Sequence, residues 1–238
     1  MTGAGWARAP GVARDVALLH AAFAAVALLV LAWPAVAVPS RGAVLAAPPV
    51  GWRVLGLVAL YNVALPLAGR LRGRAGWVEL WAFLAPVSAF QVVPDAFLAG
   101  VLGTLDFPDT GGPRLGPVPL ALAGMWTIPL WLATWAGLRA RSGWAAAAVA
   151  GALFVGAEAT LWAVPVWRAV GVTALGPVAL YVVPAEVLLG GAAYAAFRWS
   201  RGRRWPVRVA AAAAVSALYL GTACAAYLAV EGLPPRPG

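Results

Sequence analysis

Seven apolar stretches, each long enough to cross a bilayer, divide this sequence. A transmembrane helix needs about 20 consecutive apolar residues. Breaks rich in arginine, glycine and proline, such as "RLRGR" and "FPDTGGPRLGP", separate the stretches. The pattern predicts an all-α polytopic membrane protein, a bundle of seven transmembrane helices in which residues 1–238 form a single integral membrane domain. The predicted spans are residues 15–38, 51–69, 77–100, 117–138, 143–166, 172–197 and 207–230.

The composition agrees with this class and excludes several others. Of the 238 residues, 63% are hydrophobic and 11% are charged, whereas a soluble domain is about half apolar and a quarter charged. The chain contains no lysine, which excludes a retinal pigment because retinal binds through a lysine Schiff base. A single cysteine, Cys224, cannot form an internal disulfide. With His20 as the only histidine, a histidine-rich metal site is excluded, and we expect no metal or other cofactor.

The net charge of +9 is carried by arginine, and its distribution predicts an orientation. With seven spans, twelve of the 17 arginines fall on one side of the membrane and five on the other. Arginine-rich loops stay in the cytoplasm, so we expect a bacterial cytoplasmic (inner) membrane protein with its N-terminus inside. The first span ends in a signal-peptide-like "AVAVPS", but its apolar run is too long for a typical signal peptide, and we expect a retained helix. Because the excess of arginine is explained by the orientation of the protein in the membrane, we expect no nucleic-acid partner.

Three acids, Asp95, Glu158 and Glu186, lie deep within the apolar stretches. Ionisable residues at such depth normally face the interior of a bundle and mark a functional site, although polar contacts also hold membrane helices together. A low dielectric favours the uncharged acid, which can donate a proton. The span boundaries place Asp95 and Glu158 in the outer half of the membrane and Glu186 near its middle. We therefore expect all three to be catalytic and to line one cavity in the outer half.

A proline accompanies two of these acids. Pro94 cannot donate a hydrogen bond to the carbonyl of Phe90, which predicts a kink that directs the next residue, Asp95, into a pocket. Pro184, two residues before Glu186, is predicted to act in the same way in the sixth span. Five residues of the third span recur at a spacing of three or four and therefore share one face of the helix: Trp81, Leu84, Ser88, Gln91 and Asp95. The polar residues Ser88, Gln91 and Asp95 all lie on this face.

Aromatic and polar residues at compatible depth are predicted to form the substrate-binding walls of the pocket. Aromatic faces attract cations. In the loop after the third span, Asp106 and Asp109 have the spacing of aspartates that hold magnesium and a diphosphate, but the surrounding turn residues favour a structured lid without metal. Glu79 is expected to pair with the arginines of residues 70–74. The predicted substrate-binding residues are Asn62, Trp81, Gln91, Trp126, Trp131, Trp162, Tyr181 and Tyr219.

The segments "FQVVPDAFL", "FPDTGGPRLGPVPLALAGMWTIPL", "GAEATLW" and "VPAEVLLG" resemble those of a group of bacterial multi-span membrane proteins, which implies a fold but no activity. Seven spans with membrane acids and aromatics are similar to the integral-membrane terpene cyclases of fungal meroterpenoid and indole-diterpene pathways and their bacterial counterparts. That resemblance implies an acid that protonates an epoxide or an alkene. Pro184-Ala185-Glu186 is also similar to the Pro-x-Glu-Glu motif of membrane lycopene cyclases, with Val187 in place of the second acid.

Three functions are compatible with these features. The first is a non-redox isoprenoid cyclase, in which Asp95 donates the proton and Glu158 or Glu186 assists it or accepts a proton at the end. Its partners are expected to be a lipophilic prenylated substrate and membrane lipid, and the oligomeric state stays open. The second is a proton-coupled transporter or channel, against which we count the lack of an internal repeat and the acids clustered in one half of the membrane. The third is a scaffold whose acids hold helices together. The depth of the acids and the aromatic content favour the cyclase.

Overall fold

The structure, a computed structural model, describes residues 4–32, 36–37, 44–45, 48–160 and 166–232 and is built almost entirely from helices. This confirms the predicted all-α class. A 3-10 turn at Ala4–Arg8 precedes the first helix. The helices are α1 (Val12–Leu31), α2 (Val50–Leu71), α3 (Ala75–Phe90), α4 (Val92–Gly100), α5 (Leu122–Met125), α6 (Thr127–Ala140), α7 (Gly143–Glu158), α8 (Val182–Ser200) and α9 (Trp205–Glu231).

Short strands connect some of these helices, and each strand is two residues long. All of them pair antiparallel, β1 with β2, β3 with β6, β4 with β5 and β7 with β8. The strands are β1 (Val36–Ala37), β2 (Val44–Leu45), β3 (Leu105–Asp106), β4 (Arg114–Leu115), β5 (Val118–Pro119), β6 (Arg168–Ala169), β7 (Ala174–Leu175) and β8 (Val178–Ala179).

Four helical segments within the described residues are long and apolar enough to cross a membrane. They are α1, α2, the α3–α4 segment over residues 75–100, and α9, while α7 is apolar but only 16 residues long. The expectation of a membrane protein with several apolar helices is therefore confirmed in this coarser form. In the bundle, α8 packs between α7 and α9, and α6 packs against α7.

Three of the predicted spans are shorter in the structure than in the sequence analysis. The fourth begins at Leu122 instead of residue 117, the fifth ends at Glu158 instead of residue 166, and the sixth begins at Val182 instead of residue 172. The apolar residues before the fourth and sixth helices form hairpins instead. Gly116 and Gly176 turn these hairpins with φ angles of 58° and 60°, a conformation that glycine adopts without steric penalty.

The structure corrects the expectation that the chain has no internal repeat. Residues 111–120 ("GGPRLGPVPL") and 171–180 ("GVTALGPVAL") are identical at six of ten positions. Each segment forms the same hairpin, closed by a backbone hydrogen bond from its tenth residue to its third, Leu120 to Pro113 at 2.8 Å and Leu180 to Thr173 at 2.9 Å. In each case a helix begins two residues later. The chain thus contains two units of the order helix, strand, hairpin, helix.

The two units meet through their equivalent strands, β3 and β6. Leu105 lies opposite Ala169, and Asp106 lies opposite Arg168. This register is the one that a local twofold axis between the two strands produces. Because each hairpin follows its strand in the chain, both hairpins lie at the same end of the bundle, which we call the hairpin end.

The third predicted span is interrupted close to the predicted position. The helix breaks at Gln91, between α3 and α4, three residues before Pro94. Pro184 behaves differently from the prediction, because it lies in the first turn of α8. The first N–H groups of a helix have no partner within it, so Pro184 begins a helix where a kink was expected.

The opposite end of the bundle is held by ion pairs, and we call it the basic end. Asp15 at the start of α1 pairs with Arg72 and Arg74 after α2, at 3.2 and 2.8 Å. Glu79 pairs with Arg201 at 2.7 Å, so the expected pairing of Glu79 with the arginines of residues 70–74 is wrong. The physical reason is that Asp15 occupies those arginines, while the end of α8 brings Arg201 to α3.

The β3–β6 pairing predicts a specific cross-link. Residues directly opposite in an antiparallel pair have Cα atoms about 4.5–5.5 Å apart, within the range of about 4.4–6.8 Å that a disulfide spans. In a Cys224→Ala background, the pair Leu105→Cys and Ala169→Cys should form a disulfide under mild oxidation, detected by mass spectrometry of the linked peptides. The control pairs Leu105→Cys with Leu175→Cys, in β7, which pairs with β8. Equal cross-linking of both pairs would contradict the register.

Candidate functional site

A cavity of about 320 Å³ lies at the hairpin end, between the two repeated units. Helices α4, α5, α6, α7, α8 and α9 contribute to its walls, together with residues in or beside β3 and β6. No basic side chain is among the described residues that line it. Its polar or aromatic lining residues are Asp95, Phe107, Trp126, Phe154, Glu158, Trp167, Glu186 and Tyr219, and its aliphatic ones are Leu98, Leu105, Leu122, Met125, Ile128, Pro129, Leu132, Leu153, Ala157 and Val182.

The three acids singled out in the sequence all line this cavity. Asp95 is 3% exposed, Glu158 6% and Glu186 4%. The sequence placed Glu186 near the middle of a span, but α8 begins only four residues earlier, so Glu186 lies near the hairpin end. The later start of α8 is the reason that the third acid reaches the level of the other two. Their catalytic role stays a prediction.

Asp95 is held by Trp126. The indole N–H of Trp126 donates a hydrogen bond to Oδ2 of Asp95 at 3.2 Å. The ring of Trp126 lies between those of Phe154 and Tyr219, with centroids 5.1 and 5.4 Å away. Trp126 therefore connects α4 to α7 and α9 and fixes the orientation of the Asp95 carboxyl group.

Glu158 and Glu186 each have a buried carboxyl oxygen, Oε2, without a hydrogen-bond partner among the described residues. An unsatisfied buried polar group costs about 1–3 kcal/mol. The indole of Trp167 lies beside Glu158 and interacts with its carboxyl group. Glu158 and Glu186 therefore have acceptor capacity that the described residues do not fill.

Two of the predicted substrate-binding residues, Trp126 and Tyr219, line the cavity. Tyr181 lies just outside the lining, and its hydroxyl forms a hydrogen bond of 2.7 Å with Thr104. Trp162 lies outside the described residues. The remaining predicted residues, Asn62, Trp81, Gln91 and Trp131, are separate from the cavity lining.

Those four residues connect helices elsewhere in the bundle. The indole of Trp81 donates to Asn62 at 3.1 Å, and the Asn62 amide donates to backbone carbonyls of α2 and of Gly124. Gln91 accepts a hydrogen bond from Ser216 of α9 at 2.7 Å. Trp131 stacks on His20 with ring centroids 5.5 Å apart. The amide nitrogen Nε2 of Gln91 is buried without a partner among the described residues. These four residues lie away from the cavity lining, and their role in substrate binding stays a prediction.

The cavity also contains residues that the sequence analysis missed. Trp167 was assigned to the membrane interface because it follows a predicted span, but it lines the cavity between Glu158 and β6. Phe154 is one helical turn before Glu158 and therefore on the same face of α7, a spacing that could have identified it. Phe107 lies in the loop after β3 and lines the cavity, and no pattern in the sequence predicted this position.

The two loop aspartates do not face each other as a metal-binding pair. Asp106 pairs with Arg168 across β3 and β6 at 2.6 Å, and Asp109 accepts a hydrogen bond from the backbone of Gly111 at 2.9 Å. Across the described part of the chain, no group of three or more histidine, cysteine or acidic side chains could hold a metal ion. The loop is structured by turn contacts, as the sequence indicated.

These features define a helical protein with several membrane-length apolar helices and a buried acidic and aromatic cavity at one end. The chain belongs to the family described as a domain of unknown function (DUF6989), whose model matches residues 92–230. The matched region begins at α4 and ends within α9, so it includes all three acids and both hairpins. No curated protein and no solved structure matches the chain.

The hydrogen bond between Trp126 and Asp95 predicts different stabilities for two substitutions. Asp95→Asn keeps an oxygen acceptor for the indole and should change the free energy of unfolding by less than about 1 kcal/mol. Asp95→Ala leaves the indole N–H buried without an acceptor and should cost about 1–3 kcal/mol. Unfolding of detergent-purified protein by titration with a denaturing detergent, followed by circular dichroism, measures both. Equal losses for the two variants would show that the indole does not need this acceptor.

Proposed function

We propose that the protein is a membrane-embedded, non-redox isoprenoid cyclase that starts its reaction by protonating an epoxide or an alkene. The observation that supports this function is the convergence of three buried carboxyl groups on one apolar cavity with aromatic walls. Ligand cavities have volumes of about 300–1,000 Å³ and few polar groups, and this cavity has about 320 Å³. A flexible prenyl chain folded into such a space is in contact with acids and aromatic rings at once.

Asp95 is the acid best placed to donate the first proton. Trp126 occupies its Oδ2, which leaves Oδ1 to carry the proton toward the substrate. An apolar site that excludes water favours the uncharged form of a carboxylic acid, so Asp95 holds a proton that it can transfer to the substrate. The proton moves to the epoxide oxygen or to an alkene carbon, and a carbocation forms in the prenyl chain.

The rest of the cavity supports the later steps. An alkene of the same chain attacks the cation and closes a ring, and the positive charge moves to a new carbon. The faces of Trp126, Phe154 and Tyr219 stabilise the moving charge. A carboxylate of Glu158 or Glu186 removes a proton at the end, so that the substrate is isomerised without an oxidant or a reductant.

We also propose seven spans, with the N-terminus in the cytoplasm of the bacterial inner membrane. The ion pairs of Asp15 and Glu79 with Arg72, Arg74 and Arg201 lie at the basic end. Arginine-rich ends stay in the cytoplasm, so the hairpin end faces outward. The shorter helices α6 and α8 then reach the outer side together with the hairpins that precede them, whose tips are exposed at Leu115 and Leu175.

A second candidate function, a proton-coupled carrier, gains support from the two repeated units. Transporters are often built from repeats that enclose a site between them, and some of these repeats have the same orientation in the membrane. Buried acids also carry protons in such proteins. The carrier and the cyclase share the cavity and differ in whether the substrate leaves chemically changed.

A turnover assay distinguishes the two functions. Detergent-purified wild-type protein should convert a prenylated epoxide to cyclised isomers without added metal or cofactor, detected by gas chromatography with mass spectrometry. Asp95→Asn should lower the rate by at least 100-fold, because general acid catalysis contributes about 10²–10⁴-fold. Asp109→Asn is the matched control, since the same acid-to-amide change in the loop should leave the rate unchanged.

Full activity of Asp95→Asn would exclude Asp95 as the acid. If wild-type protein converts no isoprenoid but carries protons with a lipophilic substrate into liposomes, the carrier replaces the cyclase as the function of this site.

The seven-span topology predicts that the C-terminus lies outside the cytoplasm. A reporter fused after Gly238 that requires an oxidising compartment, such as alkaline phosphatase, should be active in cells. A cytoplasm-specific reporter at the same position should be inactive, and the reverse pattern would require an even number of spans or the opposite orientation.

A further inference from the structure

Glu158 and Glu186 are the two acids of the cavity lining that the indole of Trp126 does not hold. We propose that these two carboxyl groups form a binding subsite for a lipophilic organic cation. The inference rests on the proposed function in one respect, because the carbocation of a cyclising prenyl chain has the charge and branched shape of a quaternary ammonium group.

The comparison of the two repeated units identifies this subsite. Asp95 lies ten residues before β3, and Glu158 lies ten residues before β6. Trp126 lies six residues after Leu120, and Glu186 lies six residues after Leu180 at the end of the equivalent hairpin. The first unit therefore pairs an acid with an N–H donor. The second unit has acids at both equivalent positions, so Glu186 stands where the first unit has the indole donor of Asp95.

The packing of α7 on α8 brings the two acids to one interface. A β-carbon on Gly151 of α7 would lie 2.7 Å from the side chain of Val187, and a β-carbon on Gly190 of α8 would collide with Ala150. Small residues allow this close approach of two membrane helices. Glu158 is two turns from Gly151, and Glu186 is one turn from Gly190, so each acid lies on the packed face of its helix.

The charge of the pair favours a cation. Two carboxyl groups that share a low-dielectric site do not both ionise, and a cation bound beside them stabilises the ionised form of one group while the other keeps its proton. The Oε2 atoms of both residues are buried without a partner among the described residues, and the described lining of the cavity contains no basic side chain. The neighbouring faces of Trp167 and Phe154 favour a cation whose charge is surrounded by methyl groups.

A pair of shape-matched probes tests the subsite. One probe is a farnesyl chain that ends in a trimethylammonium group, and the other ends in a tert-butyl group of the same shape without charge. Both compete with the tritiated ammonium probe for wild-type protein in a nonionic detergent. We expect the ammonium probe to bind at least tenfold more tightly, and equal affinities would overturn the proposal.

Substitutions assign the preference to the two glutamates. Glu158→Gln and Glu186→Gln should each lower the ratio of the affinity for the ammonium probe to the affinity for the tert-butyl probe at least threefold. The affinity for the tert-butyl probe itself should stay within about twofold of the wild-type value, which shows that the cavity is intact. Asp95→Asn and the loop control Asp109→Asn should keep the wild-type ratio. If the ratio is unchanged in both glutamate variants, or is lost in Asp95→Asn, the assignment to Glu158 and Glu186 is wrong.

The result is independent of the turnover assay. Wild-type protein that cyclises an isoprenoid but binds both probes equally would keep the proposed function and overturn the cation subsite. Wild-type protein that prefers the ammonium probe through its glutamates but cyclises no isoprenoid would keep the subsite and overturn the cyclase.

Discussion

The arrangement of the cavity depends on the antiparallel contact between β3 and β6. The strands are two residues long, and the ion pair between Asp106 and Arg168 is largely exposed, where such pairs contribute about 0–1 kcal/mol. The contact matters because it joins the ends of α4 and α7, which carry Asp95 and Glu158. Backbone groups near a membrane need partners within the protein, and this pairing supplies them while it holds the two units face to face.

The two units use the same backbone and different side chains. In the first unit, the carboxyl group of Asp95 is bound by an indole whose ring packs against α7 and α9. In the second unit, Glu186 stands at the position equivalent to Trp126. One carboxyl oxygen of Glu158 and one of Glu186 have no partner within the part of the chain that the structure describes. A structural role alone would favour satisfying these groups, because each buried unsatisfied oxygen lowers stability. Sites that break such a rule are typical of functional positions, and this difference between the units separates the proposed proton donor, Asp95, from the proposed cation-binding pair, Glu158 and Glu186.

Much of the fold and part of the site could be predicted from the sequence. The length of the apolar stretches predicted the helices. The cost of burying a charge singled out Asp95, Glu158 and Glu186, because the position of a residue along an apolar stretch indicates its depth in the membrane. The hairpins were not predicted, since residues 172–181 are as apolar as a helix and only the turn at Gly176 distinguishes them. Gln91 and Trp131 were assigned to the pocket because periodicity gives a face of a helix but not the neighbour that the face contacts. The repeat was present in the sequence as "LGPVPL" and "LGPVAL". The pairing of β3 with β6 in the structure showed that these segments belong to two equivalent units.

The central claim is that this cavity, formed between the two units, receives the lipophilic ligand. Photolabelling measures this directly. A farnesyl ether that carries a diazirine, irradiated with the protein in lipid nanodiscs, should label peptides that contain Trp126, Phe154 and Tyr219, and excess unlabelled farnesyl ether should prevent the labelling. Labels distributed along the exposed apolar faces of α1 and α2, with no loss on competition, would contradict the account and show that the ligand meets the protein only as bulk lipid does.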